Sequence, residues 1–259
     1  MAKDRRERHR QATLDEIVAA ARAILAEGGE LSLRAVAQRI GMTAPALYRY
    51  VESYQDLLRV VAIGIDSAMS AEFLEPARDA HPVDDPAARI TAAAVAFRRW
   101  ALTARNEFSV VFANMDVASL CMDPTLTETT LTKASASGAL FNDLLVQIWQ
   151  KYDTPFPPLN ELDDDLVQIL RDPIMPDVPL EIPDEMRGLL WVFTQSWAAL
   201  YGTVTLEVFG HLDPRMIESG VLFRQMFRTQ ATLLGLADEL DRLEPLIVTG
   251  LNVTGLRAT

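Results

Sequence analysis

The sequence predicts an all-α protein in which a small N-terminal domain of three helices precedes a larger helical body. Three observations carry this. Apolar residues recur at the 3.6-residue period along most of the chain, period-two alternation is almost absent, and capping residues and glycines punctuate the runs at helix-like intervals. With 259 residues, 49% of them apolar, the chain can bury a sizeable core and is globular rather than disordered.

Thr13 and Glu16 have capping-box spacing, so Thr13 is expected to open a first helix that buries Ile17, Ala20, Ala21, Ile24 and Leu25 and stops at Gly28-Gly29. Ser32 caps a short second helix carrying Leu33, Val36, Ala37 and Ile40, and Gly41 ends it. Thr43 caps a third helix with Pro45 in its first turn, which buries Leu47, Tyr50 and Val51. Ser53 starts a fourth, with Leu57, Leu58, Val61, Ile65 and Met69 on its inner face. Residues 75–86 read as a connection. Helical patterning resumes over 86–103, 106–115 and 125–152. The proline- and acid-rich stretch 153–183 is irregular except at 163–171, and is either a lid or a surface insertion. Two long helices over 184–209 and 213–236 follow, and a loosely held tail from 239. The implied domains are 1–59 with a basic arm over 1–12, 60–238, and the tail 239–259.

The net charge of −12 is unevenly spread. Residues 1–59 hold 10 Lys/Arg against 8 Asp/Glu, a net of +2, and the rest of the chain holds 14 against 28, a net of −14. A near-neutral head on an acidic body suits a module that alone meets phosphate. The lone Cys121 excludes an internal disulfide and fits a reducing, cytoplasmic compartment. The basic, polar N-terminus does not read as a secretory signal. The uncharged stretch 188–206 approaches a membrane span in length, but Thr194, Gln195, Ser196, Thr203 and Thr205 interrupt it, so it reads as a buried helix.

Residues 32–51, SLRAVAQRIGMTAPALYRYV, place two short amphipathic helices around a Gly41-Met42-Thr43 turn, which is a helix-turn-helix arrangement. With the apolar positions inward, Thr43, Ala44, Ala46, Tyr48 and Arg49 face outward. Small Ala44 and Ala46 allow close approach to a groove floor and offer methyls to thymine. Arg49 suits a guanine edge or a phosphate, and Tyr48 offers a hydroxyl to phosphate. The helix starts at Ser32 and Thr43 attract phosphate as well.

The segment from Leu14 to about Leu58 resembles the DNA-binding domain of the tetracycline-repressor (TetR) family. The resemblance rests on the block LSLRAVAQRIGMTAPALYRYV followed by Glu52 to Leu58. It implies a homodimer binding palindromic double-stranded DNA, with a recognition helix over 44–50 in which Pro45 opens the first turn. Tyr54 stands where the family usually carries a lysine, and Tyr50 where histidine is common, so the head lacks one usual phosphate contact. The arm residues Arg5, Arg6, Arg8 and Arg10 either compensate by reaching DNA or form a solvated tail.

In the body, the helix over 184–209 is apolar around most of its circumference, which points to a partner subunit, and Gly202 in mid-helix suggests a close backbone approach. The family resemblance implies a homodimer through the helices at about 184–209 and 213–236. The Trp197-Ala-Ala-Leu-Tyr201-Gly202 stretch is similar to the Trp-His-Gly (WHG) subgroup's C-terminal domain, with Tyr201 in place of its histidine. The middle helices carry Phe97, Trp100, Phe108, Phe112, Met115, Phe141, Leu144 and Trp149, which are core side chains or the lining of the ligand cavity that the resemblance implies. Phe97, Trp100, Phe108, Phe112, Met115, Phe141, Trp197 and Tyr201 are the candidates for a small hydrophobic ligand. Arg98, Arg99, Asn114 and Gln195 are candidate polar groups.

No catalytic, metal or cofactor constellation emerges. His9, His81 and His211 lack ligand spacing, no phosphate loop or nucleophile elbow occurs, and Asp163-Asp164-Asp165 is explained by a helix start. The expectation is a ligand-responsive repressor. The alternative is an all-helical small-molecule carrier that never touches DNA.

Overall fold

The structure, a computed structural model, describes residues 2–114, 135–172 and 183–251. The elements among them are all helices, with no strand. They fall into two compact units, one running from the N-terminus to Met69 and resuming at Ala104, the other comprising 70–103 and the described residues from 135 onward.

The first unit contains α1 (Ala2–Ala26), α2 (Leu33–Arg39), α3 (Ala44–Leu47), α4 (Tyr54–Met69) and α7 (Arg105–Phe112). Its core is built from Ile17, Val36, Leu47, Val51, Leu57, Ile65 and Phe108, each with no exposed surface. Thr13 does not open α1. The helix runs through it, and its hydroxyl donates back to the His9 carbonyl at 3.1 Å, so the arginine-rich arm is helical rather than free. The first turn preceding Thr13 contains no helix breaker, so the capping spacing is overridden by continuation. A boundary at 59 also does not hold, because α4 passes unbroken through it and α7 completes the unit: α7 packs against α1 and α4. Arg22 donates to Glu107 at 2.9 Å and Asn106 donates to the Leu25 carbonyl at 2.8 Å.

The second unit contains α5 (Glu75–Asp79), α6 (Pro86–Thr103), α8 (Ala136–Tyr152), α9 (Asp164–Arg171), α10 (Gly188–Val208), α11 (Pro214–Ser219), α12 (Val221–Leu233) and α13 (Leu240–Leu251). α6 is its axis: fifteen of its eighteen residues are buried, under α5, α8, α10 and α13. Three expectations are corrected. The supposed connection after 75 begins as a helix, α5, continuous with a π-turn over Ser70–Leu74. The helix expected over 213–236 is broken at Gly220, whose φ of +60° ends α11 before α12 begins. The supposed loose tail forms α13, which buries Leu243, Ile247 and Leu251 and packs on α6. The start of the helix expected at 125, the second half of the 153–183 stretch and Cys121 lie outside the described residues.

α13 seats closely because Gly250 has no side chain: a Cβ there would lie 2.2 Å from Val95 Cγ1. Gly250→Ala is expected to destabilise the protein by about 1–3 kcal/mol, since a branched valine in a helix has little freedom to swing away. A lowered urea midpoint at unchanged m-value is the expected reading.

Candidate nucleic-acid interface and sensing core

The helix-turn-helix is assembled by local chemistry. Ser32 Oγ accepts from the Ala35 amide at 3.2 Å and fixes the start of α2. Gly41 adopts φ +70°, and the Met42 amide reaches the Ala37 carbonyl at 2.8 Å, closing the turn. Thr43 occupies the N-cap position of α3 in extended conformation, yet its side chain makes no capping hydrogen bond. The capping role expected of Thr43 is therefore absent. Pro45, in the first turn, already fixes the backbone without needing a donor.

α3 is shorter than the expected 44–50. Its α-helical part ends at Leu47, and Tyr48, Arg49 and Tyr50 continue as a turn, with Arg49 N reaching Ala46 O at 3.3 Å and Tyr50 N reaching Leu47 O at 2.8 Å. The facing is nonetheless as expected. Leu47 and Val51 are fully buried, while Thr43, Ala44, Pro45, Tyr48 and Arg49 are exposed and Ala46 is half-buried. Tyr50, expected inward, is half-buried.

Tyr54 is the first residue of α4 and is exposed. That helix start is well held: the Asp56 amide donates to Ser53 Oγ at 3.0 Å, and the Glu52 amide donates to the Asp56 carboxylate at 2.9 Å. Among the arm residues, Arg10 takes a role that sequence reasoning missed. Its guanidinium donates to the carbonyls of Arg49 at 3.2 Å and Tyr50 at 3.5 Å, and lies 6.0 Å from the centre of the Tyr50 ring. No sequence signal at a separation of some forty residues announces this; only the helical state of the arm does.

Five of the eight ligand candidates meet in the second unit. Phe97 contacts Trp100, Phe141 and Trp197 at ring-centre distances of 6.1, 6.3 and 5.9 Å, and Trp197 stacks on Tyr201 at 6.0 Å. Phe97, Trp100 and Phe141 are buried, whereas Trp197 and Tyr201 are half-buried. Phe108 and Phe112 are not part of this cluster; they pair with each other at 5.2 Å on α7 in the first unit. Periodicity could not separate them, because α6 and α7 follow one another with the same apolar spacing. Met115 lies outside the described residues. Gln195 lines a separate surface groove of about 470 Å³ with Pro155, Phe156, Pro157, Trp191 and Leu233.

Arg98, offered as a polar pocket residue, is committed elsewhere. It donates to the Glu207 carboxylate through Nε at 2.6 Å and Nη2 at 3.2 Å, and to the Ile217 carbonyl at 2.8 Å, with Phe223 packed beneath it. Both members of the pair are buried, Glu207 completely. Burial pushes the Glu207 carboxyl above its ordinary value, and Arg98 partly offsets that. Arg99 is exposed. Among the described residues, no cluster of His, Cys, Asp or Glu could hold a metal ion, and no helix is long and apolar enough to cross a membrane.

Comparison with known proteins agrees with this architecture. Residues 90–230 match the family model described as the tetracyclin repressor-like C-terminal domain. The chain is 28% identical over 209 residues to the HTH-type transcriptional regulator Rv1816 of Mycobacterium tuberculosis, covering 79% of this chain and 83% of the relative. The counterpart Mb1846 of Mycobacterium bovis matches equally. The crystal structure of SCO4313 superposes with a TM-score of 0.53 at 20% identity, over 87% of this chain and 98% of that one, and so shares the fold. A family match over more than half of the chain, with these relatives, places the protein in the tetracycline-repressor-like (TetR) family of non-enzymatic DNA-binding transcriptional regulators, which implies DNA and a second subunit as its partners.

Proposed function

We propose that the protein is a ligand-responsive dimeric repressor that reads a palindromic operator with α3 and its following turn. The observation that carries this is the facing of the helix-turn-helix: Leu47 and Val51 have no exposed surface while Tyr48 is half exposed and Arg49 points to solvent beside it. Ser32 and Thr43 at the two helix starts and Tyr54 at the start of α4 provide amides or hydroxyls for phosphate, which positions the reader without reading sequence. Thr43, Ala44, Pro45 and Ala46 form the close-approach surface, and Arg49 supplies the base contact.

Dimerisation is assigned to α10 and α12. In a single subunit, α10 presents Ala198, Gly202 and Leu206 on one side, and a Cβ at Gly202 would touch nothing within 4 Å. The close approach expected at Gly202 is thus not made by any of the described residues, and a facing helix of the second copy accounts for it. On α12, Leu222, Gln225 and Thr229 recur at helical spacing on the partly exposed side.

The small hydrophobic ligand is assigned to the aromatic cluster of Phe97, Trp100, Phe141, Trp197 and Tyr201, where flat apolar faces meet one hydroxyl. Ligand would release DNA only to the extent that it prefers the DNA-incompetent state of the dimer. Mobility-shift titration of the DNA flanking its own gene tests the DNA-reading assignment. The Tyr48→Ala, Arg49→Ala double variant should bind at least about thirtyfold more weakly, given about 1–3 kcal/mol for each specific contact. Undiminished binding would remove α3 from the interface.

A further inference from the structure

We infer that Arg10 is a positioning residue for DNA recognition: it caps the C-terminal end of the recognition element from α1 instead of contacting the nucleic acid. The inference rests on α3 being the element that reads DNA.

The need for a cap follows from the length of α3. A four-residue helix has one turn of hydrogen bonds and leaves its carbonyls to the turn that follows, where those of Ala44, Ala46 and Leu47 accept from the amides of Tyr48, Arg49, Tyr50 and Val51. The last carbonyl reached by a following amide is that of Leu47, which accepts from both Tyr50 N and Val51 N. The carbonyls of Arg49 and Tyr50 lie beyond it, and these two receive the Arg10 fork, Nη1 on Arg49 O and Nη2 on Tyr50 O. A cation at the C-terminal end of a helix also opposes the partial negative charge there. The Tyr50 ring beneath the guanidinium adds a third contact to the same side chain.

Arg49 has its backbone carbonyl held by Arg10 while its own side chain is exposed. One arginine therefore fixes the backbone from which the other projects. A planar fork suits this task, because it spans two adjacent carbonyls at once; a lysine ammonium is a point charge on a flexible stem. Arg10 sits inside α1, eight residues beyond its start, so its backbone is itself held by the helix.

A positioning residue and a phosphate contact differ in what they do to salt dependence and to specificity. A duplex selected by the wild-type protein from a randomised library, and a scrambled duplex of the same length, serve as probes. Fluorescence anisotropy over a salt series gives both affinities and slopes for wild type, Arg10→Ala and Arg10→Lys. The expected result is a loss of roughly tenfold on the selected duplex for Arg10→Ala, the size of a lost charged hydrogen bond, with a similar loss for Arg10→Lys. Affinity for the scrambled duplex and the salt slope should stay at wild-type values. Hydrogen exchange should show faster exchange at the amides of Tyr48 to Val51 in both variants. Three outcomes overturn the inference. Arg10→Ala could bind both duplexes as wild type does. It could instead lose affinity for both alike, with the slope falling by about 0.9 per lost phosphate contact and recovering in Arg10→Lys. Wild-type protein that selects no duplex would overturn the recognition-helix assignment itself, and the inference with it.

Discussion

Arg98→Ala is expected to lower the melting temperature by roughly 10 °C, from a loss of about 3–5 kcal/mol. The substitution leaves the Glu207 carboxylate in a site with no exposed surface and withdraws its two hydrogen bonds together with the donor to the Ile217 carbonyl. That guanidinium ties α6 to α10 and to the end of α11, so the loss falls on the axis of the second unit. Its pH dependence follows from the direction of the Glu207 shift. Burial already raises this carboxyl above its ordinary value, so the folded state holds a proton there more readily than the unfolded state does. Removing Arg98 raises it further, and the variant's stability should rise as the pH falls. The deficit relative to wild type should therefore be larger at pH 8 than at pH 5, read by thermal melts at both. A double variant, Arg98→Met with Glu207→Leu, should recover most of the loss, because no buried charge remains unpaired. A double variant as unstable as the single one would show that the ion pair is not the source of the effect.

Gly188→Ala should cost about 3 kcal/mol, the upper range for inserting one methyl into a packed site. A Cβ at this first residue of α10 would lie 1.9 Å from the Pro157 carbonyl oxygen and 3.1 Å from its carbon, so the obstacle is backbone rather than the tip of a side chain. The chain around Pro157 has little room to retreat. Thr154 Oγ1 donates to the Leu234 carbonyl at 2.9 Å and is itself buried, which holds that segment against the end of α12. Chemical denaturation should show a lowered midpoint, and limited proteolysis should cut near residues 155–158 in the variant first. An unchanged midpoint would mean that the segment can slide away from α10 at no cost.

The legible parts of this protein were those in which one local signal decides the outcome. Ser32 and Gly41 bracket α2 because a cap and a left-handed residue act within one turn of their own position. The bounds of α6 were readable from Pro86 and the apolar run to Thr103, and the outward Tyr48 and Arg49 from the inward Leu47 and Val51. What escaped depends on partners far along the chain. Thr13 has the residue type and spacing of a cap, but a helix that continues upstream turns its hydroxyl into a back-bond to His9. Residues 240–251 look like a tail until α6 offers Val95 opposite Gly250. Gly220 was a glycine inside a periodic run, and only its φ shows that the run turns there. Phe108 and Phe112 share their spacing with the aromatic cluster of α6 but belong to the first unit, because the chain has crossed between units at 103–104.

That crossing limits how such a regulator can be recombined. The head is not one continuous stretch of sequence: α7 supplies the fully buried Phe108, the carboxylate that meets Arg22 and the amide that meets the Leu25 carbonyl. A hybrid made by a single crossover after α4 would join this head to a foreign α7. Its interior would then depend on a helix inherited from the other parent. A transplant that keeps the head intact needs a second junction, one that carries residues 104–114 along with the first 69.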